Sequence, residues 1–201
     1  MMETNKLKTE LRAKMRAALA AVTPTVRMAA SIEVCDRLRT QMPCASAILF
    51  FAPLPDELDV WPLLEESIAL GTTCALPFFD AGSQHYGARQ IKNPTREIVT
   101  GKFGVREPGS SCEEISLEKF NLILVPGVAF DLNGNRLGRG LGFYDRLLGV
   151  AGGIKCGVCH DGQLFPEIPT EPHDVKVDFV LTPSKLVRRR KAESLQEPLN
   201  N

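Results

Sequence analysis

The chain has 201 residues, of which 44% are hydrophobic and 24% are charged, and these values exclude a disordered, fibrous or disulfide-rich miniature protein. Lysine plus arginine and aspartate plus glutamate number 24 each, so no overall field favours a nucleic acid or an anionic membrane, and any anion site must be local. We therefore expect one domain over residues 1–201 that binds neither nucleic acid nor membrane. The chain is also taken to be a monomer.

The first quarter of the chain predicts two helices and a strand. Leucine or methionine recurs every four residues between 6 and 21, which is typical of an amphipathic helix. Thr23 and Pro24 offer a cap and a first-turn proline for a second helix that continues toward Gln41. The short apolar run over 45–52 is typical of a buried strand.

Helix and strand then alternate. Asp59 or a neighbour can cap a third helix that stops at Gly71, and residues 73–79 follow as a strand. From 80 to 116 the pattern weakens into short extended pieces around glycines and prolines. Irregular chain of this length is more often functional than idle.

The unbroken apolar run 121–125 predicts a buried strand that leads through a glycine-rich segment into a helix near Gly142. Residues 155–158 and 177–181 are two further strand candidates. This order predicts an α/β fold in which a mostly parallel sheet is flanked by helices, a Rossmann-like layered architecture in one domain. Residues 184–201 are expected to form a polar C-terminal tail.

The segment NRLGRGLGFYDR, residues 135–146, is the strongest candidate for a binding site. Its glycines let successive amides turn toward one anion at the start of a helix. Arg136 and Arg139 offer planar donors that match phosphate oxygens, and Asp145 could hold a magnesium ion that bridges those oxygens. Because the spacing matches neither the Walker loop nor the dinucleotide fingerprint, a purely structural glycine-rich turn stays open.

The longer string from Val125 to Leu148 is similar to the signature segment of the 5-formyltetrahydrofolate cyclo-ligase family. Other segments resemble the same family in the same order, so the likeness covers nearly the whole chain. They are Lys6 and Arg12, Asp56-Glu57, Phe103 to Pro108, Gln163 and Asp174 to Pro183. The resemblance implies closure of 5-formyltetrahydrofolate to 5,10-methenyltetrahydrofolate with ATP and Mg²⁺, releasing ADP and phosphate.

The implied chemistry explains the use of ATP, because a formamide oxygen is a poor leaving group. Transfer of the γ-phosphoryl group to that oxygen makes an iminium phosphate, which the neighbouring N10 of the folate can attack. Phosphoryl transfer depends mostly on positioning and on charge stabilisation, so no protein nucleophile is required.

The resemblance also implies which residues form the site. The ATP set is Lys6, Arg12, Arg136, Leu137, Gly138, Arg139, Gly140, Leu141, Gly142, Phe143 and Tyr144. The folate set is Glu57, Arg139, Gly140, Leu141, Gly142 and Phe143. Arg139 and Tyr144 are the catalytic candidates. The metal positions are Asp145 and Asp178, with Asp174 as an alternative acidic partner.

Structural roles stay open for several of these residues. Glu57 could begin a helix, and Lys6 could be a solvated helix lysine. Phe143 and Tyr144 could be core aromatics, and the family often has paired tyrosines there, so a hydroxyl is absent at the first position. Arg106 lies in the segment that resembles the family's Gly-Ile/Val-x-Glu-Pro piece, and no role is assigned to it.

The cysteines and histidines form no motif with ligand spacing. The six cysteines, expected to be reduced, are Cys35, Cys44, Cys74, Cys112, Cys156 and Cys159. The CxxC spacing of the last two lacks the second pair that a zinc site needs. The histidines are interpreted as surface or structural residues, with His85 also considered for the substrate region. Since no signal segment or apolar run of roughly 20 residues is found, a cytoplasmic location is expected.

Two other functions stay open. The same fold and loop could serve a different acceptor, since a fold does not determine a substrate. The chain could also be a nucleotide-binding or protein-interaction module without catalysis, although Arg136, Arg139 and Asp145 are all present.

Overall fold

The computed structural model describes residues 2–42, 45–101 and 104–190, so Cys44, Phe103 and residues 191–201 lie outside the described residues. The helices are α1 (Met2–Ala20), α2 (Pro24–Gln41), α3 (Trp61–Ala69), α4 (Pro94–Glu97) and α5 (Phe143–Val150). The strands are β1 (Ala47–Leu49), β2 (Thr73–Asp80), β3 (His85–Gln90), β4 (Ile98–Thr100), β5 (Arg106–Pro108), β6 (Glu114–Ile115), β7 (Leu122–Pro126), β8 (Ala129–Asp131), β9 (Arg136–Leu137), β10 (Ile154–Val158), β11 (Leu164–Phe165), β12 (Phe179–Leu181) and β13 (Leu186–Arg188).

The main sheet has eight strands in the order β13-β12-β10-β7-β1-β2-β3-β6. Strands β12, β10, β7, β1 and β2 pair in parallel. The predicted α/β fold with a mostly parallel sheet flanked by helices is therefore confirmed. A smaller sheet of β11, β8 and β9 follows the carboxyl end of β7, where the glycine-rich segment begins.

Strand β7 shows why this sheet needs cover on both faces. Leu122 and Leu124 lie in one core cluster, and Ile123 and Val125 lie in the other. Because side chains alternate along a strand, an unbroken apolar run can be buried only when both faces are packed.

The starts of two helices test the capping predictions. The Thr23 hydroxyl accepts a hydrogen bond from the Val26 amide, and Pro24 opens α2, as predicted. In α3 the cap position is occupied by Val60, without a side-chain cap. Asp59 still acts close to this helix, because its Oδ1 accepts from the Trp61 amide at 3.0 Å.

Regions without a clear sequence pattern form the sheet edges. β3 pairs antiparallel with β2, and β6 with β3, so much of 80–116 extends the sheet. β4 and β5 form a separate hairpin. At the other edge β13 pairs antiparallel with β12. The first part of the predicted polar tail is thus a strand, because Leu186 packs against the core.

The cysteines that the structure describes are free, in agreement with the predicted reduced state. Cys156 and Cys159 are buried, and burial raises the pKa of Cys156 to about 12. A buried, protonated thiol does not suit a redox or metal-binding role. Among the described helices none is by itself long and apolar enough to span a membrane, although α1 and α2, bent by 104°, pass that test as a pair.

Lys8 joins α1 to the segment that precedes β12. The side chain is 6% exposed, and its Nζ lies 2.8 Å from Glu171 Oε2 and 2.7 Å from Asp174 Oδ2. Burial lowers the pKa of Lys8, but the hydrogen bonds and charges of the two carboxylates outweigh burial and the pKa is raised. The ammonium therefore stays charged at neutral pH and fastens the helix.

We expect Lys8→Met to lower the free energy of unfolding by about 3 kcal/mol, because two partly buried carboxylates lose their cation. Urea denaturation measures the change. Lys6→Met is the matched control, since Lys6 lies on the same helix, is largely exposed and meets Glu10 only at 4.0 Å; its expected effect is below about 0.5 kcal/mol. Equal losses in the two variants would contradict the anchoring role of Lys8.

Candidate functional site

The glycine-rich segment starts from a hairpin that one buried carboxylate organises. Asp131 is fully buried, and its oxygens accept from the amides of Asn133 and Asn135, the Asn135 side chain and the Ile168 amide at 2.7 to 3.2 Å. Gly134 turns the chain with φ +77°, and a side chain there would meet Val177 O at 2.3 Å. These contacts determine where β9 begins, and hence where the next residue, Arg136, is placed.

Arg136 joins the end of β7 to the first turn of α5. Its guanidinium is buried, with Nη2 2.9 Å from Asp145 Oδ1 and Nη1 3.5 Å from Pro126 O. Its Nε is buried and has no partner among the described residues. The predicted phosphate ligand and the predicted metal ligand are thus paired with each other.

Residues 138–142 form the candidate anion loop. Arg12 Nε donates to Gly138 O at 2.9 Å, so α1 supports the loop from one side. Gly140 (φ +106°) and Gly142 (φ +65°) have backbone angles that favour glycine, and Gly142 is at the N-cap of α5. Within the described chain the amides of 138–142 have no hydrogen-bond acceptor. Unpaired amides at the N-terminus of a helix can donate hydrogen bonds to a bound anion.

The side chain of Arg139 extends from the loop to the segment that follows β1. Its Nη2 lies 2.6 Å from Asp56 Oδ1 and 3.1 Å from Glu57 Oε1, while Glu57 Oε2 accepts from the Leu54 amide at 3.0 Å. Burial raises the pKa of Glu57, and the Leu54 amide and the Arg139 charge offset this only in part. The candidate catalytic cation and the candidate folate carboxylate are therefore in direct contact.

A cleft of about 410 Å³ lies beside Glu57. It is lined by Arg27, Pro53, Leu54, Pro55, Glu57, Asp59, Gly104, Val105 and Arg106. Arg27 holds one wall by donating to Pro55 O and, at 3.1 Å, to Val22 O. The cleft is large enough for a small organic substrate.

The aromatic pair at the start of α5 belongs partly to the core. Tyr144 packs against two of the core clusters, on either face of the main sheet, and Phe143 packs against one of them. Burial and the nearby charge of Glu57 raise the pKa of Tyr144, so its hydroxyl stays protonated. Tyr86 extends the aromatic contacts, with its ring centroid 5.2 Å from that of Phe143.

The remaining predicted positions lie apart from this group. Lys6 projects into solvent. Asp178 Oδ2 accepts from the Lys155 amide at 3.0 Å, and its Oδ1 lies 3.5 Å from Arg189 Nη2. No contact joins Asp145 to Asp178 in the part of the chain that the structure describes.

The structure also gives buried positions to three residues for which the sequence predicted no role in the site, namely Lys8, Asp131 and His160. The cluster of Glu171, His173 and Asp174 is close enough to hold a metal ion, but the Lys8 ammonium already lies between two of its carboxylates. Lys8 could have been found from its position four residues before Arg12, on the helix face that continues into the core. Asp131 and His160 gave no such signal.

His160, one of the histidines interpreted as surface or structural, is buried at the carboxyl end of β10. Its Nε2 has no partner among the described residues. Burial and the charge of Arg27 lower its pKa, so the ring is neutral at pH 7. His85 instead is exposed and lies 2.7 Å from Glu114 Oε1.

Comparisons with known proteins agree with one family. The model of the 5-formyltetrahydrofolate cyclo-ligase family matches residues 4–183. The 5-formyltetrahydrofolate cyclo-ligase of Escherichia coli strain K12 is 32% identical over 175 residues, which covers 83% of this chain and 94% of the relative. The Mus musculus protein of the same name is 27% identical over 195 residues, which covers 88% of this chain and 94% of the mouse protein. The solved 5,10-methenyltetrahydrofolate synthetase of Aquifex aeolicus has a TM-score of 0.84 at 31% identity, and the likeness covers 96% of this chain and 98% of the solved chain.

We expect Arg139→Ala to raise the pKa of Glu57 further, because burial remains while the neighbouring positive charge is lost. A carbon-13 NMR titration of the side-chain carboxyl groups measures the shift. Arg146→Ala serves as the control, since Arg146 donates to the Tyr86 hydroxyl and makes no contact with Glu57. An unchanged pKa in Arg139→Ala would contradict the ion pair.

Proposed function

The chain belongs to the 5-formyltetrahydrofolate cyclo-ligase family, and from this premise we propose that it converts 5-formyltetrahydrofolate to 5,10-methenyltetrahydrofolate with ATP and Mg²⁺. It is an enzyme of the cyclo-ligase class, as the resemblance predicted. The observation that carries the proposal is the loop 138–142, whose free amides lie between Arg12 and the start of α5.

The proposed reaction needs one phosphoryl transfer and one ring closure. The formyl oxygen attacks the γ-phosphorus, the bond to the β-phosphate oxygen breaks, and ADP leaves. The lone pair of N10 then attacks the formyl carbon, N10 loses its proton, and the carbon–oxygen bond breaks with its electrons on phosphate. Since the protein forms no bond itself, its work is to hold the formyl oxygen in line with the phosphorus.

The loop supplies the phosphate contacts. It leads into the positive end of α5, and the cations Arg12 and Arg136 lie beside it. Arg136 approaches with part of its guanidinium already satisfied by Asp145 and Pro126 O, so it is rigidly placed before any ligand arrives. Preorganised donors of this kind stabilise charge that develops during transfer.

Asp145 fits a magnesium ligand better than Asp178 does. Arg136 occupies only Oδ1 of Asp145, and Oδ2 has no donor among the described residues. Both oxygens of Asp178 have partners, namely the Lys155 amide and Arg189. Magnesium held there would supply positive charge that neutralises the phosphates. We therefore assign the metal to Asp145, and Asp178 could become a second ligand only if Arg189 moves away from it.

Arg139 must leave Glu57 to reach the phosphates. The amino and ring NH groups of a reduced pterin can replace the guanidinium as donors to the Glu57 carboxylate. Arg139 lies between Gly138 and Gly140, so the backbone on either side can rotate with little steric cost. Folate binding would thereby release the catalytic cation toward ATP, which couples the two ligands.

We expect Arg139→Ala and Asp145→Asn each to lower kcat by roughly 100- to 1,000-fold, because each removes a charge that stabilises phosphoryl transfer. The assay follows the absorbance of methenyltetrahydrofolate with ATP and magnesium present. Arg188→Ala, on the edge strand β13, is the control and should keep full activity. Normal turnover in both site variants would overturn the assignment, and ATP binding without turnover in the unaltered chain would favour a binding module.

The coupling gives a second expectation. 5-Formyltetrahydrofolate should tighten binding of a non-hydrolysable ATP analogue by about tenfold, a usual size for coupling between two sites. In the double variant Asp56→Asn, Glu57→Gln the analogue should bind tightly without folate, because Arg139 has lost both anionic partners. Calorimetry measures each affinity. If folate changes analogue affinity equally in the unaltered chain and the double variant, Arg139 is not the link.

A further inference from the structure

A second arginine lies on the cleft beside Glu57, and none of the roles above includes it. Arg106 opens β5 and lines the same cleft as Glu57. Its guanidinium carbon is 3.7 Å from the centroid of the Trp61 ring, at the first residue of α3. A guanidinium over the face of an indole is held there by the ring, and its N–H donors stay free for a ligand.

The donors of Arg106 have no acidic partner. In the described ranges no carboxylate oxygen lies within 4.0 Å of this guanidinium, although two acidic residues share the cleft. Glu57 is paired with Arg139, and Asp59 accepts from the Trp61 amide. The arginine thus lies on a substrate-sized cleft, held over the Trp61 ring and without an acidic partner among the described residues.

The guanidinium of Arg106 indicates which chemical group of a ligand it would bind. A fixed guanidinium with free in-plane donors matches a carboxylate in bidentate geometry. Phosphates have their own cradle at residues 138–142, whereas Arg106 lies on the cleft that contains the folate-side carboxylate Glu57. Under the proposed function, the ligand in this cleft carries a pterin at one end and a glutamate at the other.

We propose that Arg106, held over the face of Trp61, binds a carboxylate of the glutamate end of 5-formyltetrahydrofolate. This inference rests on the proposed function for the identity of the substrate. It makes Arg106 a substrate-binding residue that acts on affinity, at a distance from the reacting formyl group. Arg27 also lines the cleft, and its two terminal nitrogens donate to backbone oxygens, among them Pro55 O and Val22 O.

The test compares two ligands that differ only at the glutamate end: 5-formyltetrahydrofolate and the N-methylamide of 5-formyltetrahydropteroic acid, which keeps the benzamide but carries no carboxylate. In Arg106→Ala the dissociation constant and KM for the first should rise roughly tenfold or more, since a hydrogen bond to a charged group is lost. Neither should change for the second, and kcat should be unchanged for both. Arg106→Lys, which keeps the charge but not the fork, should restore part of the affinity.

Arg188→Ala is the matched control, because Arg188 also lies over an aromatic ring, that of Phe179 at 5.9 Å, but outside the cleft. Equal weakening of both ligands in Arg106→Ala would mean that the arginine only supports the fold, and no weakening of either would mean that it binds nothing; both results overturn the inference. Calorimetry separates the two proposals. If the unaltered chain binds 5-formyltetrahydrofolate without turnover, the proposed reaction fails while the ligand comparison still decides the role of Arg106.

Discussion

The buried carboxylate of Asp131 is the constraint on which the site depends. It has no cation, and four N–H donors from two segments satisfy it instead. A buried charge is tolerable only with such a complete set of donors, so the hairpin between β8 and β9 has one favourable geometry. Arg136 follows that hairpin directly, and the glycine loop follows Arg136. A change in this turn would displace Arg136 and the loop 138–142 together.

The site is electrically paired within itself before any ligand is present. Arg136 meets Asp145, and Arg139 meets Asp56 and Glu57. Under the proposed function, Arg139 would exchange its carboxylate partners for phosphate when the ligands bind. Such exchange avoids leaving a desolvated charge alone, which would be costly in a partly buried site. It also explains how a chain without net charge can concentrate positive charge where phosphates would bind.

Local sequence patterns predicted the helices and most strands of the sheet. They could not predict contacts between residues that are far apart in the sequence. The Thr23–Pro24 start of α2 and the apolar run of β7 depend on neighbouring residues only, and both are present. The pairing of Lys8 with Asp174 spans 166 residues, and that of Arg139 with Glu57 spans 82. No periodicity encodes such partners, because they meet only after the sheet has assembled. The loop could be found because glycines and arginines are adjacent in sequence, whereas its supports are not.

The edge strand β13 protects the sheet from other chains. It covers the outer side of β12, whose backbone groups would otherwise be open to a strand from another molecule. Residues 188–190 are all arginine, and like charges on an outermost strand repel a second copy of the same edge. Shortening the chain at residue 184 would remove this cover as well as the partner of Asp178. Self-association in concentrated solution, more than loss of the fold, is the expected cost of such a truncation.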